Sequence, residues 1–155
     1  MNTVFGNLGT ADIGITIGVM LAVMLLLFIP TLFWLLTLQK ALSRCRPENQ
    51  AMAPAMVWLV LIPIFNIVWQ FFVVINVSKS LKNELASLNV EPDSADPGKA
   101  VGLAMCILNV ISPIPYLGSI LSIGGFVCWI IHWVTITRYS NWIASLQEEP
   151  ASFAE

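Results

Sequence analysis

The chain has 155 residues, of which 57% are hydrophobic and 10% are charged, and its formal net charge is −2. A soluble globular domain of ordinary composition carries about 25% charged residues, so this composition excludes that class. The few basic residues are scattered along the sequence, which argues against a nucleic-acid-binding surface. The composition therefore predicts a single small membrane domain whose first partner is the lipid bilayer.

The first uncharged apolar segment covers residues 13–38, and the preceding tail, residues 1–12, contains no Lys or Arg. A cleavable signal peptide needs a basic N-terminal region and a shorter apolar stretch. As a helix, the segment is long enough to cross a hydrocarbon core of about 30 Å. We therefore expect a permanent transmembrane helix, kinked at Pro30 because proline removes a backbone hydrogen bond. A basic loop, residues 39–54, follows it.

A second apolar segment, residues 55–77, is interrupted by Pro63 and followed by an amphipathic stretch, residues 78–90. We expect the segment to turn back at this break as a re-entrant helical hairpin, with Asn66 capping the backbone groups that the break frees. The apolar period of 78–90 predicts a helix that lies on the membrane surface or packs on a partner. In the runner-up arrangement 55–77 crosses completely, which makes four full transmembrane helices.

The third apolar segment, residues 100–137, follows an acidic, turn-rich linker, residues 91–99, and contains no charged side chain. A straight helix of this length would measure roughly 57 Å, about twice the thickness of the hydrocarbon core. The segment must therefore break, and we expect a second helical hairpin. The final part, residues 138–155, is expected to hold a short interfacial helix and a cytoplasmic tail. The residues predicted to form the second break are Pro113, Pro115 and Gly118.

The positions of the basic residues predict an orientation in the membrane. Lys and Arg are enriched in loops on the cytoplasmic side. With the two hairpins described above, every basic residue stays on one side of the membrane, and the N-terminus faces outward. The residues that set this topology are Lys40, Arg44, Arg46, Lys79, Lys82, Lys99 and Arg138.

Signals for chemistry are few. No carboxylate lies inside an apolar segment, the three cysteines lack metal-binding spacing, and no membrane-enzyme motif is present, so no catalytic residue, metal site or cofactor is predicted. The single histidine, His132, is a candidate haem ligand or proton relay, because ionisable residues inside membranes are often functional. A neutral imidazole between tryptophans near an interface is also common without such a role.

Two pairs of glycines have the spacing that lets membrane helices approach closely. They are Gly14 with Gly18 in the first segment, and Gly98 with Gly102 at the start of the third. Both pairs predict helix packing, within the chain or between chains.

Residues 54–69 read Pro-Ala-Met-Val-Trp-Leu-Val-Leu-Ile-Pro-Ile-Phe-Asn-Ile-Val-Trp. With the residues around it, from Arg46 to Leu85, this block resembles a family of small uncharacterised bacterial multi-pass membrane proteins. Residues 102–108 and 127–134 are similar to later blocks of that family, in which Tyr often stands at the position of His132. The resemblance implies a location in the bacterial inner membrane, implies no activity, and weakens the haem hypothesis.

Many packing groups and few chemical groups favour a non-enzymatic membrane protein. The leading hypothesis is an accessory or scaffolding subunit that acts through helix packing, either as a homo-oligomer or with other membrane subunits. The alternative is a small channel or transporter built around the two proline breaks, where half-helix ends can bind a solute.

Overall fold

The computed structural model of the protein describes residues 10–112 and 118–148. Within these ranges the chain forms helices joined by turns and contains no strand, which confirms the predicted all-α class. Two short 3-10 helices, Pro47–Asn49 and Pro54–Leu61, lie between the first and second α-helices. The α-helices are α1 (Thr10–Arg44), α2 (Phe65–Ser87), α3 (Lys99–Ile111) and α4 (Gly118–Glu148).

The chain divides into two compact units, Met1–Trp34 and Leu35–Glu155. In the first unit, the side chains of residues 13–26 are all exposed, on every side of α1. These residues are uncharged, and the candidate span Ile13–Arg44 has a mean hydropathy of 2.6. A helix that is apolar on all sides needs an apolar environment around it.

The first helix is longer than expected. Pro30 lies inside α1 and does not end it. The helix continues to Arg44, so the first part of the predicted loop 39–54 is helical rather than extended. The physical reason is that Gln39 to Ser43 contains good helix formers, among which Ala41 and Leu42 are fully buried in the second unit.

The second apolar segment folds back on itself. The 3-10 helix Pro54–Leu61 runs out to a turn at 62–64, and α2 returns beside it, as the hydrogen bond from Trp69 Nε1 to the Met56 carbonyl shows (2.9 Å). At the turn, Ile64 has φ 65°, which is unusual for a β-branched residue.

The amphipathic stretch 78–90 is not a separate surface helix, which corrects that prediction. Its residues 78–87 are the second half of α2, since no Gly or Pro interrupts Phe65–Ser87. Its apolar stripe faces the interior of the chain, where Val77, Leu81 and Leu85 are fully buried. The stripe therefore packs on other parts of the same protein rather than on a membrane surface.

The third apolar segment forms two antiparallel helices. A Cβ atom at Gly102 of α3 would lie 2.7 Å from His132 Cδ2, and one at Gly125 of α4 would lie 2.9 Å from Asn109 Oδ1. Residue 102 of α3 thus meets residue 132 of α4, whereas the later residue 109 of α3 meets the earlier residue 125 of α4. The two helices therefore run in opposite directions. Gly118 begins α4 so close to α3 that its Cβ would lie 2.3 Å from the Ser112 carbonyl oxygen.

Pro113 and Pro115, the other residues of the predicted break, lie outside the described residues. The fourth helix continues without interruption to Glu148, so the separate interfacial helix expected in 138–155 is not found. Ile143 explains the difference, because it is fully buried and holds this end of α4 in the core.

Two helices of the described chain are long and apolar enough to cross a membrane, Ile13–Arg44 and Ile120–Glu148. The third helix, with 13 residues, is too short for a complete span. Within residues 10–112 and 118–148, two helices therefore meet this test of length and composition.

Candidate functional site

Polar contacts between distant parts of the chain collect at one end of the second unit, which we call the polar end (residues 44–51, 80–99 and 138–148). Arg44 Nη1 donates to Ser140 Oγ at 2.8 Å, which joins α1 to α4. Lys82 and Lys99 both pair with Asp96, at 3.1 and 3.3 Å. Arg138 pairs with Asp93 in the linker.

The seven basic residues predicted to set the topology are thus brought together. Five of them are tied into the polar end by the contacts just described and by the pair Arg46–Glu84. The other two, Lys40 and Lys79, lie one helical turn before Arg44 and Lys82.

A buried carboxylate stands at the centre of the polar end. Glu84 of α2 is fully buried. Its Oε2 accepts hydrogen bonds from the Arg46 backbone N–H (2.8 Å) and Asn49 Nδ2 (2.7 Å), and its Oε1 accepts from Arg46 Nε (3.2 Å) and Gln147 Nε2 (3.1 Å). One carboxylate therefore joins the end of α2, the loop after α1 and the last turn of α4.

The electrostatics of Glu84 follow from these contacts. Burial by itself raises the pKa of the Glu84 carboxyl, but hydrogen bonds from Asn49 and Arg46, with the Arg46 charge, more than offset it and lower the pKa below its ordinary value of 4.5. The carboxylate is thus ionised at neutral pH, and its oxygens are occupied. It is suited to hold elements together rather than to take up a proton from a substrate.

Glu84 is not among the residues predicted from the sequence. A signal for it was present, since Val77, Leu81 and Glu84 recur at helical spacing, which places the carboxylate on the same buried face as the apolar stripe. Its hydrogen-bond donors come from positions far away in the sequence, and no local pattern indicates them.

The half of the second unit away from the polar end exposes a band of apolar side chains, which we call the apolar band. It includes Ile64, which lies in the turn before α2 and is 88% exposed, and Val68 of α2. In α4 it extends from Ile120, which is 70% exposed, to Val134, which is 62% exposed. The band is made of the following residues: Ile62, Ile64, Phe65, Ile67, Val68, Phe72, Ile75, Ile107, Val110, Ile111, Ile120, Ile123, Phe126, Val127, Ile130, Ile131 and Val134.

His132 lies in the interior, against α3. It is fully buried, and its Nε2 lies 2.9 Å from the position that a Cβ of Gly102 would take. A metal ion needs a ligand nitrogen at about 2.0–2.1 Å with room for its other ligands, and α3 occupies that side of the ring. Among the described residues no group of three or more His, Cys, Asp or Glu could hold a metal ion. The contacts of His132 support helix packing better than haem ligation.

The predicted glycine pairs lie in different surroundings. Gly102 is buried, and a Cβ there would also lie 2.5 Å from Val74 Cγ1. Gly98, with φ 73°, begins α3 and lies against Ile136. A Cβ at Gly14 or Gly18 would meet no heavy atom of the described chain within 4 Å.

The first proline break shows a different use of Asn66 from the expected one. The side chain of Asn66 does not cap α2, whose first turn has no side-chain cap hydrogen bond. Its backbone N–H donates instead to the Ile62 carbonyl at 2.9 Å. Ile62, Pro63 and Ile64 are exposed, so this break lies on the surface of the described chain and not around a cavity.

Comparison with known proteins gives no match, either to a family model, to a curated protein or to a solved structure. The resemblance of residues 54–69 to a membrane-protein family therefore stays a prediction.

Proposed function

We propose that the protein is a non-enzymatic integral membrane protein of the bacterial inner membrane that acts as an accessory or scaffolding subunit through helix packing. The observation that carries the proposal is the fully exposed, uncharged surface of α1 over residues 13–26. In water such a surface would cost about 25 cal/mol for each Å² of apolar area, whereas lipid or a partner helix covers it at no such cost.

The positions of the charged residues support one orientation of the protein in the membrane. The apolar band and the polar end divide the second unit into a part suited to lipid and a part suited to water. Since basic residues are retained in the cytoplasm, the polar end faces the cytoplasm and the N-terminus faces outward. The segment 54–77 enters from the cytoplasmic side and returns to it, and α3 with α4 does the same.

Two further observations support a packing role. The Glu84 carboxylate at the polar end accepts hydrogen bonds from within the chain, and Asp93 and Asp96 are each paired with Lys or Arg. These three carboxylates are therefore engaged in contacts within the chain rather than available for catalysis. The open surface beside Gly14 and Gly18 is free to receive a helix of another subunit, because small residues let backbones approach closely.

Membrane insertion and orientation are tested first. The full chain should float with lipid vesicles and resist extraction at alkaline pH. In a Cys128→Ser background, Lys79→Cys should react with a membrane-impermeant maleimide only from the cytoplasmic side, and Asn2→Cys only from the outer side. Reaction of Lys79→Cys from the outer side would contradict the hairpin arrangement.

The packing role is tested by native mass spectrometry after purification in a mild detergent. We expect a homo-oligomer or a complex with another membrane protein, and Gly14→Leu with Gly18→Leu should reduce its abundance. The control is Ser122→Leu, because Ser122 lies on the exposed surface of α4. Gly125 is buried, so a substitution there is not a suitable control. A protein that is always a lone monomer would contradict the proposal.

A further inference from the structure

A surface groove of about 320 Å³ lies on α4 at the level where the helix changes from apolar to charged. It is lined by Trp133, Val134, Thr137, Arg138 and Asn141. The apolar side of the groove continues into the apolar band through Val134, whereas its other side reaches the polar end at Arg138.

The end of α1 that belongs to the second unit, residues 37–44, runs beside α4 and parallel to it. Trp133 Nε1 donates to Thr37 Oγ1 (2.9 Å) and Arg44 Nη1 donates to Ser140 Oγ (2.8 Å), and both pairs are 96 residues apart in sequence. An equal separation means that the two helices advance in the same direction. Arg44 also donates to Asn141 Oδ1, which lines the groove, at 2.8 Å.

Two cations lie in the part of α1 that contacts α4. Arg44 donates to Ser140 and Asn141 of α4, and the exposed Lys40 lies one helical turn from both Thr37 and Arg44, on the same side of α1 as these two residues. No carboxylate of residues 10–112 and 118–148 lies within 4 Å of Lys40 or Arg44. The Arg44 guanidinium is instead held in place by neutral acceptors, which fix its direction and leave its charge uncompensated.

The groove therefore combines an apolar wall with uncompensated positive charge at the boundary between lipid and water. We propose that it binds one anionic phospholipid, whose phosphate contacts Lys40 and Arg44 while an acyl chain lies along Val134 and Ile130. Basic pockets between membrane helices on the cytoplasmic side suit anionic head groups in this way. This inference rests on the proposed insertion in a membrane.

The test is native mass spectrometry of the full chain in detergent micelles that contain equal amounts of phosphatidylglycerol and phosphatidylcholine. The natural sequence should retain phosphatidylglycerol preferentially. Lys40→Gln and Arg44→Gln should each reduce the retained phosphatidylglycerol about fivefold, the effect of one basic residue near an anionic surface. Lys79→Gln, which removes an exposed charge from α2, is the matched control and should change nothing.

Several results would overturn the proposal. Equal retention of both lipids would do so, as would an equal effect of Lys79→Gln. Displacement of phosphatidylglycerol by inorganic phosphate at equal concentration would indicate an anion site that does not need the lipid chain. Because Arg44→Gln also removes the bonds to Ser140 and Asn141, its melting temperature is measured, and Lys40→Gln decides the result if that variant unfolds.

Failure of this inference is distinguishable from failure of the proposed function. A chain that floats with vesicles and has the expected orientation, but binds both lipids alike, contradicts only the lipid site. A chain that stays in solution without detergent contradicts the membrane proposal itself.

Discussion

The imidazole of His132 in α4 occupies the space that any side chain at Gly102 of α3 would need. A Cβ at position 102 would lie 2.7 Å from His132 Cδ2 and 2.9 Å from its Nε2. Real Cβ atoms do not approach a ring this closely, so glycine at 102 is what permits a buried histidine at 132. This contact connects Gly102 and His132, whose relation is not evident from the sequence.

Gly102→Ala should therefore destabilise the protein. The added methyl group would also lie 2.5 Å from Val74 Cγ1, so both Val74 and His132 would have to shift to make room for it. Overpacking of this kind costs typically about 1–3 kcal/mol, and we expect a lower melting temperature in detergent. Gly124→Ala is the control, because a Cβ there would lie 3.5 Å from Leu108 Cδ1, an ordinary van der Waals distance. Equal melting temperatures for the two variants would disprove the contact.

Glu84→Gln should destabilise the protein more than Gly102→Ala does. It keeps the shape of the side chain but replaces one accepting oxygen by an NH₂ group that faces other donors, and it leaves the Arg46 charge without its buried partner. Removing one member of a buried ion pair costs about 3–5 kcal/mol. Because the Arg46 side chain is partly exposed, we expect a loss of stability at the lower end of this range. The measurement is the free energy of unfolding in detergent. Glu48→Gln is the control, since Glu48 is exposed and lies 3.9 Å from Arg46, and it should cost less than about 1 kcal/mol.

The stability of the protein should fall in acid because of Glu84. The pKa of this carboxyl is lowered in the folded state relative to its ordinary value of 4.5, so the folded state binds fewer protons than the unfolded chain. The stabilisation is complete above that ordinary value and is lost as the pH falls through the folded pKa. Unfolding curves measured at descending pH below 5 should show this loss. Glu84→Gln should flatten the dependence, and an unchanged pH profile in that variant would contradict the assignment.

Cys45 should resist alkylation in the folded protein. Burial, with a smaller contribution from the Glu84 charge, raises the pKa of the Cys45 thiol to about 12, so almost no thiolate is present at neutral pH. Mass spectrometry after iodoacetamide treatment at pH 7.5 should find Cys45 unmodified until the protein is denatured. Rapid modification of Cys45 under native conditions would show that the loop after α1 is not held against α2.

The sequence predicted the helical class and the position of the first turn, because apolar length and proline act locally. Residues 55–77 carry no charged side chain and contain Pro63, and the chain turns at 62–64. It did not predict that residues 78–87 continue α2. The apolar stripe of that stretch is the same whether membrane, partner or the chain itself covers it, and only packing decides among them.

The amino-acid sequence by itself determined that the chain is helical, rich in uncharged apolar segments, and basic only at positions that can share one side of a membrane. Hydrophobic length, helix propensity and backbone geometry are properties of neighbouring residues, and they can be read along the chain. The tertiary structure alone decided that Glu84 joins three distant segments, that Gly102 makes room for His132, and that Arg44 bonds to Asn141 at a groove on α4. These relations depend on which residues meet across the fold, and that is fixed by the joint packing of all the helices.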